Sequence, residues 1–430
     1  MPRVLLLATT TGYQTRSFGE VAERLGVDLV FATDRCHLID DPWRDGAIPI
    51  RFHDEEASTD AIVRAARAQP IDGLIVVGDR PTVIAARVAE VLKLPGHPPA
   101  AAAAARHKQA TRERFRDAGL PTPWFEARAI DDPLQPPARS HQPPFPCVVK
   151  PVSLSGSRGV MRADDEATLG AAVIRLRALL DAPDIRSERT DVHRQILIEG
   201  FIPGHEYAVE AVLHHGRLHV LAIFDKPDPL DGPFFEETIY LTPPDLPASA
   251  QHAITRVVAG AAAALGLHHG PVHAEVRLNQ TGVYVLEVAA RPIGGLCARA
   301  LSFVDGVRDS EFGIRIPLEE LLLRHALGEP IDHWRREPRA SGVMMIPIPK
   351  RGILRGVSGV DTASAVPGVD AVRITAKMEQ LLLPLPEGAS YLGFIFAHGD
   401  CASDVDTALR AAHRALHFAI DPELHVVRAG

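Results

Sequence analysis

Cysteine is scarce in this sequence, and its few copies are far apart. They are Cys36, Cys147, Cys297 and Cys401, and no two of them form a C-x-x-C pair. This spacing argues against a zinc-binding framework and against a set of disulfides. Scattered thiols are typical of proteins in a reducing compartment, so we predict a cytoplasmic location.

Long apolar runs and an excess of positive charge are also missing. No stretch approaches the length of a membrane span, and the first residues lack the basic start and apolar core of a signal peptide. The formal net charge is -8, and the arginines form no basic stripe. We therefore expect a globular protein that binds neither membranes nor nucleic acid.

In the N-terminal part of the chain, short apolar runs alternate with helical patterns, which predicts a parallel, doubly wound α/β sheet. The first turn, Thr9-Thr10-Thr11-Gly12, lacks the G-x-G-x-x-G fingerprint and gives little support for dinucleotide binding. Farther along we predict one basic helix over residues 101–118, a proline-rich surface loop over 131–146 and a last helix over 404–418.

A loop rich in glycine and serine follows an apolar segment that ends in Lys150 and Pro151. Small residues let backbone N–H groups approach phosphate oxygens, and the lysine adds positive charge. The loop lacks the G-K-[ST] ending of a P-loop, and a simple hairpin turn is the alternative interpretation. The candidate phosphate ligands are Lys150, Ser155, Gly156, Ser157 and Gly159, with Lys108 from the basic helix, which by itself could be a solvated side chain.

An apolar strand over residues 195–199 runs into a turn that carries two acids. Such a hinge could hold an adenine ring through backbone groups and ribose hydroxyls through Glu206. The hinge residues are Glu199, Gly200, Phe201 and Ile202. The alternative is a strand and turn with exposed acids.

The most specific motif is a predicted β-hairpin with an acid on each strand. A three-residue loop ending in Gly282 would place Glu275 opposite Glu287. Opposed carboxylates lie about 5 Å apart and repel unless a cation lies between them, and oxygen ligands suit Mg²⁺. Two-residue periodicity places Arg277 and Arg291 on the same face, where Arg291 could grip a carboxylate with two hydrogen bonds. A surface ladder of compensating charges is the alternative.

The order of these parts resembles the ATP-grasp superfamily over roughly residues 1–335. The resemblance implies an α/β ATP-grasp fold with an N-terminal Rossmann-like domain and a C-terminal α+β lobe. The implied ranges are 1–103 for the Rossmann-like domain, 104–190 and 191–337 for the two ATP-grasp subdomains, and 338–430 for the lobe. It also implies ATP and Mg²⁺ as cofactors, or Mn²⁺ in place of Mg²⁺, with the metal on Glu275 and Glu287.

Within the superfamily, the chain most resembles bacterial L-amino acid ligases of the bacilysin-synthetase type. Segments 224–227, 232–238 and 287–295 and the region 341–420 carry this similarity. Many ATP-grasp enzymes have an asparagine where this chain has Ala289, so one metal or phosphate contact is missing.

The similarity to these ligases also implies a substrate site. Its implied catalytic groups are Arg291 and Lys226. Neighbouring residues of an extended chain face opposite ways, so only one acid of the pair 236–237 can point into the cleft, and the resemblance favours Glu237. The implied substrate-binding residues are Glu236, Glu237, His273, Arg277, Gly294 and Gly295.

The implied reaction is an ATP- and Mg²⁺-dependent ligation of a carboxylate to an amine. It would form an amide or dipeptide through an acyl phosphate, with amino acids as the expected substrates. A carboxylating or formyl-transferring enzyme is an alternative, and Arg299 and Arg308 are available for its phosphorylated nucleotide precursor. A non-catalytic ATP-binding protein is a second alternative. A homodimer is the default expectation for assembly.

Overall fold

Four parallel strands in the order β3-β2-β1-β4 form an N-terminal sheet, as the alternating pattern predicts. The computed structural model describes residues 1–9, 14–34, 46–132, 144–306 and 314–423. The apolar residues 4–7 of the first strand are fully buried. The elements of this part are β1 (Arg3–Leu7), α1 (Thr15–Leu25), β2 (Asp28–Thr33), β3 (Ile48–Pro49), α2 (Glu55–Ala68), β4 (Gly73–Val76) and α3 (Thr82–Leu92).

Several predictions fall on residues outside the described ranges. These residues are Thr10, Thr11, Gly12, Cys36, Arg308 and residues 133–143 of the proline-rich loop. The described ends of that loop, residues 131–132 and 144–146, contain no helix or strand.

The basic helix predicted over residues 101–118 is two helices, α4 (Pro99–Arg106) and α5 (Lys108–Asp117). The chain breaks at His107, which is extended, and its Nδ1 accepts a hydrogen bond from the Ala110 N–H at 3.4 Å. Lys108 is therefore the first residue of a helix, and its backbone N–H donates to the Val152 carbonyl at 2.8 Å. This bond fastens the start of α5 to the segment after Lys150. The prediction of one continuous helix was wrong because a side-chain cap substitutes for the helical bond.

A four-stranded antiparallel sheet follows, in the order β5-β8-β6-β7. Its register pairs Val148 with Glu199 and Lys150 with Leu197, so the lysine and the acid lie diagonally on neighbouring strands. Its elements are β5 (Phe125–Ala129), β6 (Cys147–Pro151), β7 (Met161–Ala163), α6 (Glu166–Leu180), α7 (Pro183–Arg186) and β8 (Gln195–Gly200).

The next part contains two long hairpins and a long helix. Its elements are β9 (His205–His214), β10 (Arg217–Asp225), β11 (Ile239–Thr242), α8 (Ala248–Leu265), β12 (Gly270–Asn279), β13 (Gly282–Ala289), β14 (Ser302–Asp305), β15 (Arg315–Pro317), α9 (Leu318–Ala326) and β16 (Trp334–Arg336). The C-terminal part contains β17 (Ala340–Ile346), β18 (Gly352–Ser358), α10 (Val360–Ser364), β19 (Val369–Ile374), β20 (Leu381–Leu382), β21 (Gly393–Gly399), α11 (Ala402–Ala415) and β22 (His417–Asp421).

One antiparallel sheet of eight strands joins these two parts, in the order β13-β12-β9-β10-β11-β17-β21-β19. The sheet continues across the predicted boundary at residue 338 through the pairing of β11 with β17. The four domain ranges therefore stay predictions. The last helix ends at Ala415 and not at residue 418, because residues 417–421 pair with β18 as a strand.

Strand β9 is buried on both faces, which places it at the centre of the molecule. Ala208 and Val212 pack in a core with residues of the N-terminal sheet, whereas Val209 and Leu213 pack against α8. Alternate residues of a strand face opposite sides, so one strand serves two cores. Among the described residues, no helix is long and apolar enough to span a membrane.

Candidate active site

A cleft of about 440 Å³ lies between the eight-stranded sheet, the four-stranded antiparallel sheet and the N-terminal sheet. This volume is in the range of about 300–1,000 Å³ that suits a small ligand. The predicted site residues that line it are Lys108, Lys150, Ser155, Gly156, Ser157, Glu199, Gly200, Phe201, Ile202, Glu206, Glu237, His273, Glu275, Arg277, Glu287, Arg291, Gly294 and Gly295. Their convergence from distant segments makes this cleft the candidate active site.

The two acids of the hairpin are paired, but not for the predicted reason. The loop has two residues, Gln280 and Thr281, since Asn279 pairs with Gly282. An unbroken ladder would then oppose Glu275 to Leu286. A β-bulge restores the pairing of Glu275 with Glu287. Val276 pairs with residue 285, Leu286 has no partner in the ladder, and Glu275 then pairs with Glu287. The predicted three-residue loop was wrong, and the opposed pair is confirmed.

Glu275 belongs to a cluster of carboxylates around the buried Lys226 ammonium. The Lys226 Nζ lies 2.7 Å from Glu206 Oε1 and 3.4 Å from Glu275 Oε1, and it also donates to Glu237. Burial opposes the charge of Lys226, yet the three acids hold its pKa well above the usual value. Burial, only partly offset by Lys226, raises the pKa of Glu275 to about 7. The three carboxylates could hold a metal ion by their spacing, but the ammonium already supplies their positive charge.

The other acid of the pair faces Lys108. The Lys108 Nζ donates to the Leu154 carbonyl at 2.6 Å and lies 3.5 Å from Glu287 Oε2. The ammonium is thus held between the glycine-rich loop and the hairpin. Each of the two predicted metal ligands therefore has a lysine neighbour in this conformation.

A buried ion-pair triad holds Lys150. Glu199 accepts hydrogen bonds from the Lys150 Nζ at 2.5 Å and from the Arg112 Nε at 2.7 Å. Burial lowers the pKa of Lys150 to about 8, although Glu199 favours its charged form. Burial would raise the pKa of Glu199, but Arg112 and Lys150 lower it to about 2. The Glu199 side chain therefore orients the lysine, and its backbone belongs to the sheet, where Glu199 pairs with Val148 and Phe125.

Glu206 and Arg277 are also bonded to other protein groups, and their ligand-binding roles stay predictions. Glu206 accepts a hydrogen bond from the Arg277 Nε at 2.9 Å, in addition to the bond from Lys226. The two terminal nitrogens of Arg277 donate to the carbonyls of Ile202 and Leu230. These bonds use three of the five N–H donors of the guanidinium, so Arg277 braces the hinge while it lines the cleft.

Arg291 is held by an acid that the sequence patterns did not indicate. The Arg291 Nε lies 2.9 Å from Asp79 Oδ1, and its Nη2 lies 3.1 Å from Oδ2. Asp79 follows β4 in the N-terminal sheet, so no local spacing connects it to residue 291. Behind this pair, fully buried Glu210 accepts hydrogen bonds from His273 Nδ1 at 3.1 Å and from the Ile293 N–H. His273 thus lines the cleft as a residue already anchored to the sheet.

The glycine-rich loop is a tight turn whose far end contacts the C-terminal part. Gly156 and Ser157 both have positive φ, 65° and 54°, the backbone that two consecutive turn residues adopt in a type I′ turn. The Gly159 N–H donates to the Pro386 carbonyl at 2.9 Å, and the Arg158 Nε donates to the Glu387 carbonyl. The N–H of Gly159 is therefore bonded to the protein in this conformation, and its role as a phosphate ligand stays a prediction.

Of the two neighbouring acids, Glu237 lines the cleft and Glu236 does not, within the part of the chain that the structure describes. Burial raises the pKa of Glu236. Arg299, available for a phosphorylated substrate, lies over the Phe396 ring and is likewise not among the described residues that line the cleft.

Residues that the sequence analysis missed line much of the remaining wall. They come from the segment after β4, from β11 and from the C-terminal part, and include Asp79, Arg80, Tyr240, Ala389, Ser390 and Tyr391. None of them lies in a motif with recognisable spacing, so only a contact between distant segments identifies them.

Known proteins resemble this chain in three separate regions. The family model of the ATP-grasp N-terminal domain matches residues 19–96, that of the ATP-grasp domain matches 143–300, and that of the L-amino acid ligase C-terminal domain 2 matches 344–421. The solved L-amino acid ligase from Bacillus licheniformis is 29% identical, with a TM-score of 0.81 over 98% of this chain and 99% of that one.

This chain matches two curated relatives over only part of their length. Carnosine synthase 1 of Gallus gallus is 30% identical over 70% of this chain, which spans only 33% of that protein. D-alanine–D-alanine ligase of Aromatoleum aromaticum is 30% identical over 47% of this chain and 62% of its own length. Together with the cleft, these matches assign the chain to the ATP-grasp superfamily, with an L-amino acid ligase C-terminal domain 2 at its end.

Proposed function

We propose that this chain joins two amino acids by an ATP-dependent reaction that forms a peptide bond. The observation that carries the proposal is the opposed pair Glu275 and Glu287, in a cleft where Lys108 lies beside Glu287 and which also contains Arg291. A metal–nucleotide complex needs hard oxygen ligands beside cations for the phosphates, and a carboxylate substrate needs a guanidinium. The cleft supplies all three kinds of group.

The nucleotide is proposed to lie along the hinge, with its phosphates toward Lys108 and Lys150. The pKa of Lys150, about 8, leaves this buried ammonium mostly charged at neutral pH. The turn at Ser155, Gly156 and Ser157 lines the cleft and is proposed to cover the phosphates. Covering them matters because an acyl phosphate hydrolyses when water reaches it.

Glu275 and Glu287 fit a magnesium ion by their chemistry. Both are carboxylates that keep 26% and 29% of their side chains exposed, and their lysine neighbours lie 3.4 and 3.5 Å away, beyond close hydrogen-bond distance. Mg²⁺ bound there would neutralise charge on the transferred phosphoryl group. Mn²⁺ has a similar preference for oxygen ligands and is proposed to substitute for it.

In the proposed reaction, the carboxylate of the first amino acid attacks the γ-phosphorus of ATP and ADP leaves. The amine of the second amino acid then attacks the acyl carbon, loses a proton and expels phosphate. Arg291 is proposed to hold the carboxylate and the oxyanion of the tetrahedral intermediate. Lys226 is proposed to act through Glu237 and Glu275, because its ammonium already contacts both.

Two observations favour amino acids over a phosphorylated nucleotide precursor. The L-amino acid ligase C-terminal domain matches residues 344–421, and residues from that part, such as Tyr391, line the cleft. Arg299, in contrast, packs on Phe396 away from the lining residues that the structure describes. The intact set of charged residues also argues against a non-catalytic ATP-binding protein.

The experiment measures phosphate release with ATP, Mg²⁺ and pairs of standard amino acids, with products identified by mass. We expect release that requires amino acids and equals dipeptide formation. A carboxylate labelled with ¹⁸O should transfer label to the released phosphate, since an acyl phosphate breaks at the acyl carbon when the amine attacks. A rate of phosphate release that no amino-acid pair changes would overturn the proposal.

A matched pair of variants makes this experiment specific. Glu287→Gln preserves shape but removes a hard anionic ligand, so phosphate release should be lost with folding intact. Glu23→Gln, on the exposed face of α1, serves as control and should retain wild-type release. Normal turnover in Glu287→Gln would remove this acid from the metal site.

Two further proposals concern location and assembly. The scattered thiols support a cytoplasmic location, and symmetric dimers are the commonest assembly. Cell fractionation tests the first proposal, and light scattering of the purified protein tests the second.

A further inference from the structure

Three histidines meet at the end of the central sheet that is remote from the cleft. His214 is the last residue of β9, His269 directly precedes β12, and His325 lies in the last turn of α9. The antiparallel register that pairs Leu213 with Gly270 brings the first two side by side. One ring nitrogen of each histidine lies within 4.8 Å of those of the other two.

This cluster is separate from the candidate active site. Glu206, which lines the cleft, lies near the opposite end of the same strand as His214. Eight residues of extended strand at about 3.3 Å each separate them by about 26 Å. The cluster is therefore too far away to share a ligand with the nucleotide site.

We propose that His214, His269 and His325 form a binding site for a divalent transition metal, with Zn²⁺ as the ion that fits best. Three imidazoles suit zinc, which accepts nitrogen ligands in a tetrahedral arrangement. His214 Nδ1 and His325 Nε2 are 3.3 Å apart. Two nitrogens bound at about 2.05 Å to one tetrahedral ion are also about 3.3 Å apart. A fourth position would be left for water.

The surroundings of the cluster keep its nitrogens available as ligands. His269 and His325 are 5% and 3% exposed, and the buried Nδ1 of His269 has no hydrogen-bond partner among the described residues. A neutral imidazole retains the lone pair that a metal needs.

The three residues come from elements that the metal would fasten together. α9 contacts β4 and α1 of the N-terminal sheet as well as β12 of the central sheet. His97 steadies the segment before β12, since its Nδ1 accepts a hydrogen bond from the His268 N–H at 3.1 Å. A metal bound here would hold α9 against the ends of two central strands, which gives the site a structural role.

The test uses the full chain, freed of metal by dialysis against a chelator and kept without nucleotide. Zinc is titrated calorimetrically, and the bound metal is counted by elemental analysis. We expect one zinc ion per chain, lost in His269→Gln and in His325→Gln, and retained in His252→Gln on the exposed face of α8. Glu287→Gln should also retain it, which excludes the proposed magnesium pair as the source.

Cobalt(II) absorption of the wild-type chain keeps the proposal testable if a variant fails to fold. Four-coordinate cobalt with nitrogen ligands absorbs visible light strongly, and zinc should displace that signal. Three results would overturn the site. The wild-type chain could bind no zinc, its cobalt spectrum could be of the weak six-coordinate type, or zinc binding could survive in both cluster variants. In each case the three rings would be a packed cluster without a metal.

Discussion

Asp79 and Arg291 form a two-point ion pair that joins the N-terminal sheet to the segment after β13. Burial would raise the pKa of Asp79, but the charge and hydrogen bonds of Arg291 hold it below the usual value. A substrate carboxylate that binds Arg291 must therefore compete with Asp79. The Asp79 carboxylate is thus a stand-in for the anion that the cleft is proposed to bind.

This competition predicts the behaviour of Asp79→Asn. Loss of the carboxylate leaves the buried guanidinium unpaired, and we expect the free energy of unfolding to fall by about 1–3 kcal/mol. A carboxylate ligand should then occupy the vacant position, so an amino-acid substrate should raise the Tm of the variant more than that of wild type. Thermal shifts with and without substrate measure both effects. Equal substrate-induced shifts in the two proteins would show that the substrate does not use Arg291.

The raised pKa of Glu275 predicts a pH dependence. Its pKa of about 7 lies above the value of 4.5 in the unfolded chain, so the folded state binds the extra proton between these values. Stability contributed by the protonated form is therefore lost as pH rises from about 4.5 through about 7. Affinity for Mg²⁺ should rise over the upper part of that window, because only the ionised acid is a good ligand. Denaturation and Mg²⁺ titrations at several pH values measure the two dependences. In Glu275→Gln, stability and Mg²⁺ affinity should both change less with pH than in wild type.

Lys150→Ala should weaken nucleotide binding and also cost stability. The change removes a phosphate ligand, and we expect the Kd for ATP to rise at least about tenfold, or about 1.4 kcal/mol. It also leaves buried Glu199 with only Arg112 as a cation, so unfolding should become easier by about 1–3 kcal/mol. Lys93→Ala, at an exposed helix end, is the control for calorimetry and denaturation. An unchanged Kd for ATP would make Lys150 a structural residue only.

Glu237 and Glu236 offer a test with the control built into the chain. A zwitterionic amino acid needs an anion near its ammonium, and Glu237 is the one of the two that lines the cleft. Glu237→Gln should raise the KM for the first amino acid about tenfold with little change in ATP binding. Glu236→Gln should leave that KM near the wild-type value. An equal loss with N-acylated substrates, which carry no ammonium, would show that Glu237 serves only to hold Lys226.

The acid pair shows how far local patterns reach. The alternation of buried and polar residues predicts two strands and a turn near Gly282, and the structure has them. The loop length was wrong by one residue, and a bulge at Leu286 compensates for it. A one-residue change of register moves every side chain to the other face, so the pairing depends on a feature that hydrophobic periodicity does not encode.

The sequence by itself determined which chemistry this chain carries. The order of the lysines, the glycine-rich loop, the hinge, the opposed acids and Arg291 indicated the ATP-grasp superfamily, because motifs of this kind are short and local in the chain. Only the tertiary structure decided what each charge contacts. Asp79, Arg112 and Lys226 reach their partners across separations of 212, 87 and 20 residues. Such contacts arise from packing of whole sheets against one another, and no spacing along the chain reports them.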